Sequence, residues 1–498
     1  MPTGFIDNGD AVVGDLVESG AMTAARRFTE LQRRLVERPP GRDGATARTT
    51  AIALPSMNLG DDYHAVHDTT ALEERWLYLL LLLADPALRV VAITSAPVPA
   101  SWVDFYLGLL PDPAGARARL TVLDAGDPTP GVLAGKVLAQ PAVLERLRAA
   151  VGDPHDAYVV PFNVEDTERD LALALDVPVY GVAPAFARYG TKSGGRRLLA
   201  DAGVAVPDGA EDLRGEEDVA VALAGLRTRR PELARAVIKL DEGTLGQGNA
   251  IVALDGAAGA GLAAALTPEY RAALTAQPAV IEALVDGDET HSPSVQVQVT
   301  PAGEVRVLGT HDQVLAGPLG HTFAGARFPA DPRYGPAVTA DAVRVGERLA
   351  AEGMVGRFAL DFVVARDGDA GPWTAHAVDL NLREGGTTHP LGVLELLTGG
   401  AFDTAAGVFV LPDGSTRAYE ATDRLYAAHG ESVDPDRFLA ALAASGLAWD
   451  RDAATGVVPF MPRALERAGR AGIVAVARTA PAAAQLRADT GALLDGLR

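Results

Sequence analysis

The chain has 498 residues, with 44 Lys+Arg against 65 Asp+Glu, a net charge of −21 and no cysteine. That acidity repels nucleic acid and anionic membranes, and the lack of thiols excludes disulfides, thiolate catalysis and Cys-based zinc sites. The length suits about three domains, the setting is expected to be cytoplasmic, and small solutes or peptides are the expected partners.

The first twenty residues, MPTGFIDNGDAVVGDLVESG, lack the basic start and apolar core of a signal peptide. The longest apolar run, Trp76–Ala84, has nine residues, less than half of what a bilayer needs. Met22–Val36 reads as an amphipathic helix ahead of the breaker Pro39–Gly44. Thr50–Leu54 is the first strand signal, and Thr70 with Glu73 forms a capping-box pattern before an apolar helix over Leu72–Ala84. Strand-like runs at Arg89–Thr94, Leu120–Leu123, Tyr158–Pro161 and Val177–Tyr180 alternate with helical stretches such as Ala142–Val151 and Thr167–Leu175. This alternation predicts an open, mostly parallel α/β sheet. Within it, Gly131–Lys136 (GVLAGK) looks like a phosphate loop, but it is one residue short between its glycines. Val137 also stands where a Ser or Thr would follow the lysine, so the stretch reads as a turn into a helix.

A change of texture near Pro184 places a first Rossmann-like domain at 1–183. Gly190–Gly195 (GTKSGG) then introduces a helix over Arg196–Asp201, and a strand over Ala236–Leu240 carries Lys239. The loop Asp241–Asn249 (DEGTLGQGN) has glycines at 243, 246 and 248, which let backbone N–H groups approach an anion closely. Val280–Glu289 (VIEALVDGDE) follows; its layout suits pairing with a purine edge through 283–285 and holding ribose hydroxyls at Glu289, although Glu282 reads equally well as a salt-bridge residue. Gly309–Asp331, with Asp312, His321 and Arg327, suits a mobile segment over a substrate. His321 and His389 read more readily as surface residues than as catalytic ones.

The densest chemistry lies in Gly356–Pro390. Two β-rich runs, Arg357–Ala365 and Trp373–Leu382, flank an Asp/Gly-rich turn, so a hairpin centred near residue 370 sets Asp361 opposite Asp379. Alternation places Asp379, Asn381 and Arg383 on one face, with Arg357 and Asp361 opposite. Two carboxylates and an amide are a hard-oxygen set of the kind Mg2+ takes beside phosphates, and Arg383 with Gly385 and Gly386 adds positive charge and N–H donors. From 412 to 498 helices at Asp436–Ala444 and Ala482–Leu497 bracket strands at Val457–Met461 and Gly472–Arg478, a small α+β region expected to pack on the core and to shape its pocket.

In order and spacing, Lys192, Lys239, the 243–249 loop, the run 282–289, Asp361 and the D-x-N-x-R at 379–383 resemble the ATP-grasp superfamily of carboxylate ligases. Asn381–Pro390 (NLREGGTTHP), Tyr189–Leu199 (YGTKSGGRRLL) and Thr94–Pro111 narrow the resemblance to the pheganomycin-type peptide ligases. It implies a Rossmann-like pre-ATP-grasp domain at 1–183, an ATP-grasp domain of two α+β subdomains at 184–411, and a small C-terminal α+β domain at 412–498. It implies Mg2+ on Asp361, Asp379 and Asn381, with Mn2+ as a substitute. ATP would be held by Lys192, Lys239, Glu242, Gly243, Thr244, Gly246, Gln247, Gly248, Glu282, Ala283, Leu284, Val285 and Glu289, and Arg383, Arg327 and Arg357 would serve at the reacting groups. One departure is Asp379, where much of the superfamily has Glu. The implied reaction joins a carboxylate to the amine of an amino acid or short peptide through an acyl phosphate, in peptide natural-product biosynthesis, with a homodimer as the candidate assembly. The alternatives are a nucleotide-binding protein without catalysis and a ligase with a thiol or hydroxyl acceptor.

Overall fold

The computed structural model describes residues 23–39, 49–243, 248–254, 260–316 and 322–497. Among them the strands form three sheets. The first is built from β1 (Thr49–Leu54), β2 (Leu88–Thr94), β3 (Leu120–Asp124) and β4 (Ala157–Pro161), in the order β3-β2-β1-β4 and parallel throughout. The continuous apolar character of β1 and β2 fits strands covered by helices on both faces. Val177–Tyr180 contributes only a single parallel bridge, Val159 to Val179, because Pro178 cannot donate to a ladder.

Two local expectations differ from what is observed. The predicted capping box at Thr70 and Glu73 does not form: Asp68 caps the short helix Thr69–Glu73, and the Glu73 carboxylate instead accepts both N–H and O–H of Ser95 at 2.6 Å. The leucine-rich run that follows, Glu74–Ala84, winds as a 3-10 helix, buried nearly all round. Its Tyr78 ring would meet a Cβ on Gly392 at 2.4 Å, so glycine is what lets the helix Thr388–Thr398 lie against it. Residues 131–138 are a turn into the helix Leu133–Leu138, as read. Lys136 is buried there, donating to Ser95 Oγ and to the Asp127 and Thr129 carbonyls.

The second sheet is antiparallel, β5 (Gly209–Leu213), β6 (Arg235–Leu240), β7 (Asn249–Ala253) and β8 (Ala279–Ala283), in the order β5-β8-β6-β7. The third has eleven strands: β9 (Glu289–His291), β10 (Pro293–Val299), β11 (Val305–Ala316), β12 (Thr322–Phe328), β13 (Gly356–Arg366), β14 (Thr374–Asn381), β15 (Ala401–Asp403), β16 (Val408–Val410), β17 (Thr416–Tyr426), β18 (Gly456–Phe460) and β19 (Arg470–Ala477). Its main path runs β14-β13-β10-β11-β12-β17-β16-β15. The β12–β17 ladder, with Phe328 opposite Tyr419, carries the sheet across the expected boundary at 411–412. Most of Gly309–Asp331, expected as a mobile segment, is instead the paired strands β11 and β12; His321 lies outside the described residues. No helix among the described residues is long and apolar enough to cross a membrane.

Candidate active site

A cavity of about 820 Å³ opens between the second and third sheets and the N-terminal part of the chain. Its floor is the β13–β14 hairpin. Asp361 pairs with Asp379 and Ala359 with Asn381, the predicted register, but a bulge follows: Phe362 pairs with Ala377, leaving Val378 outside the ladder. The Val378 carbonyl accepts from Lys239 Nζ at 3.0 Å, so the irregularity ties the second sheet to the third.

Charge at the floor is arranged in opposition. Asn381 Nδ2 donates to Asp361 Oδ2 at 3.1 Å, and Arg383 donates to Asn381 Oδ1 at 3.0 Å. Lys192 Nζ lies 2.6 Å from Asp379 Oδ1. Burial, and then the negative charge of Asp379, push Asp361 up to about 6. Burial also acts to raise Asp379, but Lys192, with Lys239 and Arg383, outweighs that and holds it below the ordinary carboxylate range. Lys192 is placed by its helix, which begins at Lys192 rather than Arg196. Thr191 caps it by accepting from Gly194 N, and Ser193 binds Asp241 Oδ1 through both N–H and O–H.

Glu282 is buried on β8, with Lys239 Nζ and Arg196 Nη1 each at 2.6 Å. Its carboxylate is thus committed to orienting two cations, and Ala283, Leu284 and Val285 continue the cavity wall beyond it. Gly243 also lines the cavity, while Glu242 N–H donates to Gln277. Gly248 has φ +84°, which favours glycine, and its carbonyl accepts from Tyr270 Oη at 2.7 Å. Thr244, Gly246 and Gln247 lie outside the described residues.

Two expected site residues stand apart from this arrangement. Glu289 does not line the cavity; it is held by Arg366 Nε at 2.6 Å, His291 at 2.9 Å and Arg333 at 3.2 Å, and these partners draw it down to about 2. Arg357 has the predicted strand parity but sits two residues beyond Ala359, outside the lining, where Glu395, Tyr78 and Glu384 surround it. Arg327 does line the cavity, with Nε on Glu420 at 3.0 Å. His389 is buried in the core rather than at the surface where it was expected, its ring 4.4 Å from that of Phe460. The cavity also takes walls from residues not anticipated: Ser294, Phe323 and Thr387, and, from either end of the chain, Tyr63, His67, Arg75, Asp423, Arg424 and Arg470. Thr387 belongs to the Asn381–Pro390 run and Phe323 to the 309–331 segment; the others lie in no motif, and only the fold brings them together.

The sequence profile described as "IQCH-like, ATP-grasp" matches residues 184–256 and 268–405, and that of the "PGM1 C-terminal domain" matches 438–490. The chain is 33% identical over 447 residues to L-propargylglycine–L-glutamate ligase of Streptantibioticus cattleyicolor, covering 85% of this chain and 89% of that one. It is 24% identical over 331 residues to IQ motif-containing protein H of Danio rerio, covering 57% and 31% respectively. Two solved structures share its fold. The biotin carboxylase of Campylobacter jejuni in complex with an ATP analogue has a TM-score of 0.55 at 13% identity, covering 90% of this chain and 94% of that one. The ADP complex of N5-carboxyaminoimidazole ribonucleotide synthetase has a TM-score of 0.54 at 11% identity, covering 91% and 98%. With a relative one third identical along most of both chains, and the family profile falling on the strands that build the cavity, this chain belongs to the ATP-grasp family and is an ATP-dependent carboxylate–amine ligase.

Proposed function

We propose that the ligase activates the carboxylate of an amino-acid-like substrate and passes it to the amine of a second amino acid or a short peptide, with Asp361, Asp379 and Asn381 as the cation site. The observation that carries this reading is the pairing of Asp361 with Asp379 across β13–β14, at the floor of a cavity walled by Lys192, Lys239 and Arg383.

The donor set suits Mg2+: two facing carboxylates and an amide oxygen are hard ligands, and burial, with the facing charge of Asp379 second, pushes Asp361 up, a push that a bound cation would offset. When bound, the cation neutralises the phosphate oxygens of ATP. Lys192 and Lys239 face the α-phosphate side, Lys239 aimed by Glu282. The backbone of 283–285 holds adenine, and the glycines of the 243–248 loop approach the terminal phosphates. Glu289, drawn into its arginine cluster, is placed to hold the ribose only through a change of partners.

A carboxylate is a poor electrophile, so its oxygen first attacks the γ-phosphorus and the bond to ADP breaks. Arg383 lies beside Asn381, where it offsets charge on the transferring group. The amine nitrogen then attacks the acyl carbon, phosphate leaves and the nitrogen loses a proton. No covalent protein nucleophile is required. L-Glutamate and L-propargylglycine, the substrates named for the relative, are the first pair to offer. The test is to incubate paired amino acids and short peptides with ATP and Mg2+ and to read condensation by mass spectrometry. An ATP-dependent product is expected from at least one pair, and its absence across the whole panel would contradict the reading.

A further inference from the structure

Part of the cavity, a lobe lined by Tyr63, His67, Arg75, Asp423, Arg424 and Arg470, takes its wall from the N- and C-terminal parts of the chain. The rings of Tyr63 and His67 lie together there, centroids 4.2 Å apart and planes tilted by 36°. Burial raises the Tyr63 hydroxyl, and Arg75, Arg383 and Arg470 all act against that, so this ring lies within the field of both the lobe and the cation site.

Opposite these rings β17 carries a bulge. Thr422 pairs with Ile473 and Leu425 with Ala471, so two residues, Asp423 and Arg424, lie against the single residue Gly472. In a regular strand consecutive side chains point to opposite faces; a bulge re-aims them. Here both Asp423 and Arg424 line the cavity, and Arg470, at the start of β19, joins them.

The charges in the lobe do not cancel. Asp423, only 9% exposed at its side chain, is taken by Arg75, and Asp68 is taken by Arg467 at 2.6 Å. Arg424 and Arg470 have no carboxylate partner among the described residues. Burial, followed by Arg470, Arg424 and Arg75 in that order, depresses the basicity of His67, so these guanidiniums converge on one ring. In a chain of net charge −21, two unpaired guanidiniums facing one cavity are an anion site.

The ligation itself leaves an anion to be held. An amino acid that reacts through its amine retains a carboxylate, which must be kept from the cation site, where it would compete for activation. We propose that Arg424 and Arg470 bind this carboxylate, so that the lobe selects acceptor amines that carry a free carboxylate. The inference rests on the ligase reading above. It adds the acceptor's chemical class and assigns it to residues outside the stretch 184–405 matched by the ATP-grasp profile. Planar guanidinium forks suit a carboxylate through paired hydrogen bonds.

The experiment separates the two half-reactions. Hydroxylamine in place of the acceptor traps the activated carboxylate as a hydroxamate, with no need of the lobe. The twenty common L-amino acids and L-propargylglycine are then offered as acceptors, each as free acid and as α-carboxamide, to the parent and to the Arg424→Ala/Arg470→Ala double variant. The parent is expected to favour the free acid of its best acceptor by on the order of 100-fold in kcat/KM. The double variant should lose that preference through a raised KM for the acid while still forming hydroxamate, and Arg470→Lys should retain part of it. A preference that survives in the double variant, or a parent that treats acid and amide alike, overturns the proposal. So does a parent that forms hydroxamate but joins no free amino acid. A parent that forms no hydroxamate with any carboxylate instead defeats the ligase reading on which the proposal stands.

Discussion

At Asp379 a lysine and the proposed cation share one carboxylate. Replacing Asp379 by Asn keeps its shape and an acceptor for Lys192, but removes the charge that a divalent ion needs. Asp379→Asn, or Asn381→Ala, is expected to lower turnover by at least about 100-fold with the thermal midpoint close to that of the parent. Turnover near that of the parent at ordinary Mg2+ would contradict the assignment.

Glu73 offers a test of stability rather than of chemistry. Its carboxyl is buried, and burial pushes it from 4.5 up to about 7 against the hydrogen bonds from Ser95. The folded state therefore binds its proton more tightly than the unfolded state does. This contribution is fully present below about 4.5 and is lost as pH rises through about 7. Glu73→Gln removes the titration, so its stability relative to the parent should rise across that window, read from urea midpoints at a series of pH values. A difference that stays flat with pH would refute the assignment. Glu73 also shows where reading the sequence stops: the spacing Thr70 to Glu73 fits a capping box, but Ser95, twenty-two residues on and just past the end of β2, competes for the same carboxylate, and tertiary contact wins.

Among the elements, the β13–β14 hairpin was the most legible, because strand alternation and a turn centre are enough to set Asp361 against Asp379. The bulge at Val378 was not, since it depends on Lys239 arriving from another sheet. Arg357 was placed on the right face but outside the cavity, because parity says which side a residue faces and not how far the cavity extends along the strand. The bulge at Asp423 and Arg424 left no trace in the sequence for the same reason as the first. β13 also begins at a demanding position. Gly356 has φ +126°, and a Cβ there would lie 2.8 Å from the backbone of Gly181 and Val182. Gly356→Ala should therefore cost about 2 kcal/mol or more, measured by denaturant unfolding; a cost below about 0.5 kcal/mol would show that the backbone adjusts freely.

At the scale of the molecule, the alternating N-terminal units predicted the parallel sheet correctly, since each strand and helix there is specified locally. The joining of the C-terminal strands to the third sheet through β12 and β17 was not legible, because no local pattern marks which edge a distant strand will cover. That continuity has a consequence. A chain ending at Leu411 would expose the β12 edge, with Phe328 stripped of Tyr419, whose ring centroid lies 4.8 Å away. We expect such a truncation to aggregate, and a monodisperse, cooperatively unfolding product in size-exclusion chromatography and thermal melts would argue against one continuous core.

The central claim is that the facing carboxylates, Lys192, Lys239 and Arg383 direct attack to the γ-phosphorus. It is tested most directly by the nucleotide released when a carboxylate is activated. With ATP, Mg2+, hydroxylamine and the preferred carboxylate, the enzyme should yield hydroxamate and ADP in equal amounts, and Arg383→Ala should depress both. AMP and pyrophosphate as the stoichiometric products would contradict the account, even if the same amide were made.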